Sequence, residues 1–251
     1  MGRWSRNLAP LLVQFAGVSD GDAVLDVGSG TGALAAAVTA VTPSGHIVGI
    51  DPAGAYVTFA RERGLGDRVE FELGDAQQLR FEDRTFDRTL SLLNLNFIPD
   101  PDKALVEMRR VTRQGGTVAA AVWDYGHGME MLRVFWDEAV ALTPTIEAKD
   151  ERRMRFCRQG ELSALWRAHQ LQAVSEEPIT IETRFSSFDD YWSPFLEKQG
   201  PAGSYVASLN EADREKLRYR LRHRLIGDGT DRPIDLTARA WAVRGVVPSE
   251  P

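Results

Sequence analysis

The chain has 251 residues, a length that predicts one large domain or one domain with an insertion. Its hydrophobic fraction of 43% and charged fraction of 26% are those of a soluble globular protein, and a net charge of −6 argues against a general nucleic-acid-binding surface. A lone cysteine, Cys157, excludes an internal disulfide and a cysteine-cluster metal site. From the cysteine count we expect no metal. Apolar runs fall short of the ~18 residues of a membrane span, and nothing at the start resembles a signal peptide. We therefore expect no membrane span and a cytoplasmic location.

The first predicted element is an N-terminal helix, in which Trp4, Leu8, Leu12 and Phe15 recur at helical spacing. A buried strand, Ala23–Val27, then runs into three glycines at alternate positions and an alanine-rich helix. A glycine turn between strand and helix lets the backbone approach a ligand and aims free N–H groups at it. The alternative is an ordinary strand–turn–helix in which the glycines only tighten the turn.

The stretch Asp26–Gly32, Asp-Val-Gly-Ser-Gly-Thr-Gly, resembles motif I of the class I S-adenosylmethionine-dependent methyltransferases. Its Gly-x-Gly-x-Gly spacing differs from the Gly-x-Gly-x-x-Gly of dinucleotide sites. The resemblance implies that Asp26 lies near the cofactor ammonium, through water or backbone. It implies that the turn residues surround the cofactor: Gly28, Ser29, Gly30, Thr31 and Gly32. It also implies an N-terminal segment folded over the cofactor, where Trp4 and Arg6 would meet the substrate; core packing of Trp4 is the alternative.

Asp51 follows a second buried strand, His46–Ile50, and Pro52 opens the next helix. Both oxygens of a carboxylate at this position can accept hydrogen bonds from the two ribose hydroxyls of an adenosine-type ligand. An Asp that caps a helix is the alternative.

A third strand, Arg68–Leu73, leads to Asp75 and Ala76, which resemble the methyltransferase motif that holds adenine. There the carboxylate would accept from the exocyclic amine, and the Ala76 N–H would serve a ring nitrogen. A plain turn aspartate is the alternative.

The fourth predicted strand, Phe86–Leu93, ends beside the methionine moiety of the implied cofactor, where Leu92, Leu93 and Asn94 would lie. Methyltransferases that act on nucleic-acid bases or on glutamine carry an acid or Asn followed by two prolines and an aromatic residue here. Asn94-Leu95-Asn96-Phe97 departs from that pattern, which argues against those substrates.

A helix over 102–112, a tight turn at Gln114–Gly116 and a fifth strand, Thr117–Trp123, complete the predicted core. The loop after this strand carries a carboxylate and an imidazole, so Asp124 and His127 are the catalytic candidates. Trp123 and Tyr125 flank them and are candidate substrate contacts. A surface loop without catalytic duty is the alternative.

The remaining chain predicts a helix over 129–142, an exposed charged segment over 143–155 and a helix over 159–169. Strands at 171–184 and 234–246 are expected to pair, the final one antiparallel at the sheet edge. Between them, 185–232 is too long for a hairpin loop and predicts a helical lid. Its aromatic cluster, which includes Tyr191, forms either the lid core or part of a substrate pocket.

The alternation of strands and helices up to residue 123 predicts an α/β fold, a Rossmann-like doubly wound sheet. Seven strands are expected, with the last antiparallel and a helical lid between the last two. The predicted domains are a cofactor-binding core, 1–184 plus 233–251, and the lid, 185–232.

Together these motifs resemble the small-molecule methyltransferases of ubiquinone and menaquinone biosynthesis. The resemblance implies S-adenosyl-L-methionine as cofactor and in-line methyl transfer to an O-, N- or C-nucleophile of a small molecule, by a monomer or homodimer. Two alternatives stay open: a non-catalytic S-adenosylmethionine-binding regulator or partner protein, and a nucleotide-dependent oxidoreductase.

Overall fold

The computed structural model describes residues 2–249, apart from the side chains of residues 2, 147 and 148. Met1, Glu250 and Pro251, at the ends of the predicted core, lie outside the described residues. The strands are β1 (Ala23–Val27), β2 (His46–Asp51), β3 (Val69–Leu73), β4 (Phe86–Leu92), β5 (Thr112–Trp123), β6 (Gln172–Phe185) and β7 (Ile234–Val246). The helices are α1 (Gly2–Ala16), α2 (Ala33–Thr39), α3 (Gly54–Glu62), α4 (Pro101–Val111), α5 (Glu130–Leu142), α6 (Glu161–Ala168), α7 (Phe188–Leu196), α8 (Gly200–Ser208) and α9 (Glu211–Ile226). None of the described helices is both long and apolar enough to cross a membrane.

The strands form one seven-stranded sheet in the order β3-β2-β1-β4-β5-β7-β6. Neighbours from β3 to β5 are parallel. β7 runs against β5, because the N–H of Asp124 bonds to Arg239 while the N–H of Val247 bonds to Gly116. This is the predicted Rossmann-like doubly wound sheet with an antiparallel last strand, and the prediction is confirmed.

The strand order reverses between β1 and β4, since the chain first builds β2 and β3 on one side and later β4 and β5 on the other. In open α/β sheets ligands bind beyond the carboxyl ends of the strands at this reversal. β1 can occupy the centre because Val24 and Leu25 are fully buried between the layers. The fold therefore predicts a ligand site after Val27 and Leu92.

Contacts divide the chain into two compact units. The described residues of the first unit are 2–122, 158–179 and 241–249, and those of the second are 123–157 and 180–240. Strands β6 and β7 run through both units. The second unit contains the predicted segment 185–232, whose helices are α7, α8 and α9. The role of that segment as a lid remains a prediction.

The core of the second unit is aromatic. The rings of Phe135 and Phe195 stack with centroids 4.3 Å apart, and Tyr205 meets Phe135 edge-on at 6.3 Å. The hydroxyl of Tyr191 donates to the carbonyl oxygen of Met131 at 2.9 Å. The aromatic cluster read from the sequence therefore packs as core.

Three local expectations were wrong. β7 lies between β5 and β6, so the edge strand is β6, where the missing N–H of Pro178 is tolerated. Gly115 and Gly116 lie inside β5 instead of forming a turn; a Cβ on Gly116 would stand 2.7 Å from the carbonyl oxygen of Asp87.

The third wrong expectation is the exposure of 143–155. This segment forms short 3₁₀ helices and buries Asp150 and Glu151. A charged pattern reads as exposed, but here Arg133 donates to both oxygens of Asp150, at 2.6 and 3.1 Å, and the pairing allows burial.

Candidate functional site

Asp26 lies near the end of β1 and is fully buried. Neither of its carboxylate oxygens has a partner that meets ordinary hydrogen-bond geometry among the described residues. Burial raises the pKa of Asp26 to about 7, the negative charge of Asp51 adds to the rise, and the N–H of Ala35 offsets part of it. A buried carboxylate without a partner is costly, and such a group calls for an explanation.

The turn after β1 depends on its glycines. Gly28 and Gly32 have φ values of 77° and 75°, which an L side chain rarely adopts. A Cβ on Gly28 would stand 2.1 Å from Nδ2 of Asn94, whereas a Cβ on Gly30 would meet no atom within 4 Å. The turn therefore packs closely at Gly28 and is open at Gly30.

Four N–H groups of this turn are engaged within the protein, contrary to the expectation from sequence, and that of Gly32 donates to the carbonyl oxygen of Ser29 at 2.8 Å. Those of Gly28 and Ser29 donate to the carbonyl oxygen of Ile50 at 2.9 and 2.8 Å, and that of Gly30 donates to Oδ2 of Asp51 at 2.9 Å. The turn is fastened to the end of β2. What it offers a ligand is a close backbone surface more than a set of unused donors.

Asp51 holds the turn and the start of α3 together. Its Oδ2 accepts from Gly30, and its Oδ1 accepts from the N–H of Ala53 at 2.8 Å. The residue that caps α3 is Ala53, so Asp51 is not the cap of that helix. Each carboxylate oxygen can accept more than one hydrogen bond, which leaves capacity for two adjacent hydroxyl groups. Pro52 beside it is exposed.

Asp75 follows β3 and is exposed, whereas Ala76 is buried. The N–H of Gln77 donates to Oδ1 of Asp75 at 2.9 Å, and its side-chain amide donates to the same atom at 3.1 Å. These bonds lower the pKa of Asp75, so the carboxylate stays ionised and fixed.

The exit from β4 brings a polar group next to the glycine turn. Leu92 is buried, Leu93 has a φ of 59°, and the side chain of Asn94 covers Gly28. A positive φ at an apolar residue other than glycine is uncommon, and such residues cluster at functional sites.

Asn96, two residues further on, is a site candidate that was not assigned from the sequence. Its side chain is buried, and neither its nitrogen nor its oxygen has a partner among the described residues. The sequence offered one signal, the polar Asn94-Leu95-Asn96 stretch at a strand exit, but no pattern distinguishes Asn96 from Asn94 there.

The candidate substrate residues divide between the two units. In the first unit Trp4 is buried, with the guanidinium of Arg3 4.5 Å from the centre of its ring, and Arg6 is exposed. Core packing thus accounts for Trp4. In the second unit Trp123 and Tyr125 are buried.

Asp124 also belongs to the second unit, and its carboxylate is engaged. Arg239 donates to Oδ2 of Asp124 at 2.5 and 3.0 Å, and the N–H of His127 donates to Oδ1 at 2.8 Å. Both carboxylate oxygens are thus engaged by neighbouring residues, so the structure favours Asp124 as an organiser of this loop. The His127 ring is exposed. Tyr191 is buried, which raises its pKa and keeps the phenol neutral. Within residues 2–249, no cluster of three metal-ligating side chains occurs.

Comparisons with known proteins find similarity to methyltransferases. Residues 25–120 match the family model described as a methyltransferase domain. The chain is 39% identical over 111 residues to the ubiquinone/menaquinone biosynthesis C-methyltransferase UbiE of Bdellovibrio bacteriovorus, a match that covers 43% of this chain and 46% of that one. The chain thus matches less than half the length of this curated relative.

Solved structures share the fold over nearly the whole chain. The YcgJ protein of Bacillus subtilis is 21% identical with a TM-score of 0.62, covering 97% of this chain and 99% of that one. Phosphoethanolamine N-methyltransferase 2 of Haemonchus contortus, solved with phosphomonomethylethanolamine and S-adenosylhomocysteine, is 20% identical with a TM-score of 0.59, covering 98% of this chain and 53% of that one.

Proposed function

We propose that this chain, whose residues 25–120 belong to the methyltransferase-domain family, transfers a methyl group from S-adenosylmethionine to a small molecule. The observation that carries the proposal is the fully buried carboxylate of Asp26 beside the glycine turn, whose oxygens have no partner of ordinary hydrogen-bond geometry among the described residues. S-adenosylmethionine carries an ammonium, which the negative charge of the fully buried Asp26 would attract through water or the backbone. The residues present therefore fit this cofactor.

Three acids stand at or near the carboxyl ends of three neighbouring strands and would divide the cofactor between them. Asp26 would act on the ammonium through water or the backbone, Asp51 would hold the ribose hydroxyls and Asp75 the adenine amine, with Ala76 serving a ring nitrogen. Leu92, Leu93 and Asn94 would border the methionine moiety. When bound, S-adenosylmethionine supplies a methyl group that is already activated on a sulfonium.

The chain itself must bind the cofactor and the acceptor, orient them towards each other and exclude water. Orientation alone can supply roughly 7–11 kcal/mol of a barrier. The small-molecule acceptor is supported by the sequence Asn94-Leu95-Asn96-Phe97, which departs from the base- and glutamine-methylating pattern. The similarity to UbiE, a ubiquinone/menaquinone biosynthesis C-methyltransferase, agrees with this class.

His127 is the proposed base for an acceptor that must lose a proton. Binding of S-adenosylmethionine without catalysis is the second candidate function, because Asp124, the other base read from the sequence, is held by Arg239. Cytoplasmic location and a monomeric or homodimeric state remain predictions.

Calorimetry tests the proposal directly. We expect S-adenosylmethionine and S-adenosylhomocysteine to bind and NAD not to bind. Asp51→Ala should weaken binding by about 2 kcal/mol, close to 30-fold, because two ribose hydroxyls lose a charged acceptor.

Asp20→Ala is the matched control, since Asp20 is an aspartate that accepts backbone bonds from the exposed Gly21 and Ser44 and touches no proposed cofactor residue. Equal affinity of Asp51→Ala and wild type would refute the ribose assignment, and binding of NAD alone would refute the proposed cofactor.

A further inference from the structure

The far end of the helix that begins after Asp51 carries an arginine with an unusual set of contacts. Arg63 directly follows α3, and its Nη1 donates to the carbonyl oxygen of Thr31 at 2.9 Å and to that of Gly32 at 2.7 Å. Its side chain is half-buried, and it makes no ion pair among the described residues. One guanidinium nitrogen thus bridges the last two carbonyls of the glycine turn.

These two carbonyls stand at the start of α2. The carbonyl of Gly32 also accepts the first helical bond, from Ala36 at 3.1 Å, whereas that of Thr31 is held by Arg63. A cation beside a helix N-terminus is disfavoured by the helix dipole, so charge attraction does not bring Arg63 here. Its hydrogen bonds to the two carbonyl oxygens hold it in this position.

The direction of the carbonyls fixes the direction of the amides. The described peptide bonds are all trans, and a peptide unit is planar. When the carbonyls of Thr31 and Gly32 point to Arg63, the N–H groups of Gly32 and Ala33 in the same units point the opposite way. The Thr31–Gly32 unit is also held by the N–H of Gly32, which donates to the carbonyl oxygen of Ser29 at 2.8 Å, so Arg63 adds a second restraint on the direction of this peptide unit.

The rest of the turn is fixed by the end of β2, the strand that precedes α3. Ile50 and Asp51 accept from Gly28, Ser29 and Gly30, and Arg63 completes the set at Thr31 and Gly32. We infer that Arg63 is a positioning residue for the cofactor turn, which it holds in its ligand-binding shape through Thr31 and Gly32. This inference rests on the proposed function for its effect on binding.

The test compares Arg63→Met with Arg68→Met. Arg68 is a matched control, because its Nη1 also donates to a backbone carbonyl, that of Ser44 at 2.9 Å, in a different loop. Two quantities are measured: the affinity for S-adenosylhomocysteine by calorimetry, and amide hydrogen exchange of a peptide covering residues 27–36 in the free protein.

We expect Arg63→Met to bind S-adenosylhomocysteine at least tenfold more weakly and to exchange faster in that peptide, and Arg68→Met to match wild type in both. Arg63→Lys, whose ammonium can also donate to two carbonyls, should lie closer to wild type than Arg63→Met. Exchange in Arg63→Met equal to that of wild type would overturn the inference. If wild type binds no S-adenosylhomocysteine, the proposed function fails, and the exchange comparison still decides the role of Arg63.

Discussion

At the scale of single residues, the pKa of Asp26 makes binding depend on pH. Burial raises it to about 7 in the free protein, so below that pH the carboxyl is protonated. A bound ammonium needs the ionised form, and binding must then release a proton.

Affinity for S-adenosylhomocysteine should therefore fall as pH drops below 7, by up to tenfold per pH unit. Calorimetry at pH 5.5, 6.5 and 7.5 measures this, and Asp26→Asn should bind weakly with little change across the range. A wild-type affinity that stays constant from pH 5.5 to 7.5 would contradict the assignment of Asp26 to the ammonium.

The raised pKa of Asp26 also predicts how the free energy of unfolding depends on pH, which provides a control for the binding measurement. A pKa raised from the ordinary value near 4 favours the folded state below pH 4, and this contribution is lost as pH rises to 7. Asp26→Asn should gain in free energy of unfolding relative to wild type over that interval. A variant that is folded and no less stable at pH 7.5 then shows that its weak binding is not a folding defect.

Arg63 and Asn96 show where prediction of single residues from the sequence stops. Asp26 and Asp51 were recognised because an acid at a fixed distance from alternating glycines is a pattern in one dimension. Arg63 ends an amphipathic helix, where arginine is common, and only the folded chain brings it to Thr31. Asn96 is distinguished by a buried side-chain amide without a hydrogen-bond partner in residues 2–249, which no sequence pattern records.

At the scale of elements, two glycines of the turn differ in their surroundings: Gly28 packs against Asn94, whereas the space beside Gly30 is open. Gly28→Ala adds left-handed strain of about 1–2 kcal/mol and a clash with Asn94 that costs roughly 1–3 kcal/mol more. Gly30→Ala adds the strain alone, since the space beside it is open.

Urea denaturation should therefore rank Gly28→Ala as the less stable variant. If Gly30→Ala costs as much stability as Gly28→Ala, the clash with Asn94 is not what requires glycine at position 28.

The predictable elements are those whose burial follows from their own sequence. β1 and β2 are apolar runs between turn residues, and the parallel, doubly wound sheet followed from strand–helix alternation. The exposure of residues 143–155 was misjudged because the partner that permits burial of Asp150, Arg133, lies on another element. The place of β7 was also misjudged, since pairing of β6 and β7 is compatible with either strand at the edge.

At the scale of the whole molecule, the chain has two compact units but shares strands between them. β6 and β7 each begin in one unit and end in the other. Breaking either unit would remove hydrogen bonds from strands that the other needs, so we expect a single cooperative unfolding transition.

A ligand of the first unit should then shift that whole transition. All proposed cofactor residues lie in the first unit, yet S-adenosylhomocysteine at a hundred times its Kd should raise the free energy of unfolding of the entire chain by about 2.7 kcal/mol. Urea titrations followed by tryptophan fluorescence and by far-ultraviolet circular dichroism measure this. Tryptophans occur in both units, Trp4 and Trp166 in the first and Trp136 and Trp192 in the second, so both units are observed. Asp51→Ala, whose Kd is expected to be about 30-fold larger, should show a shift of only about 0.9 kcal/mol at the same ligand concentration. A curve with two steps, of which the ligand moves one, would mean that the shared strands do not couple the units.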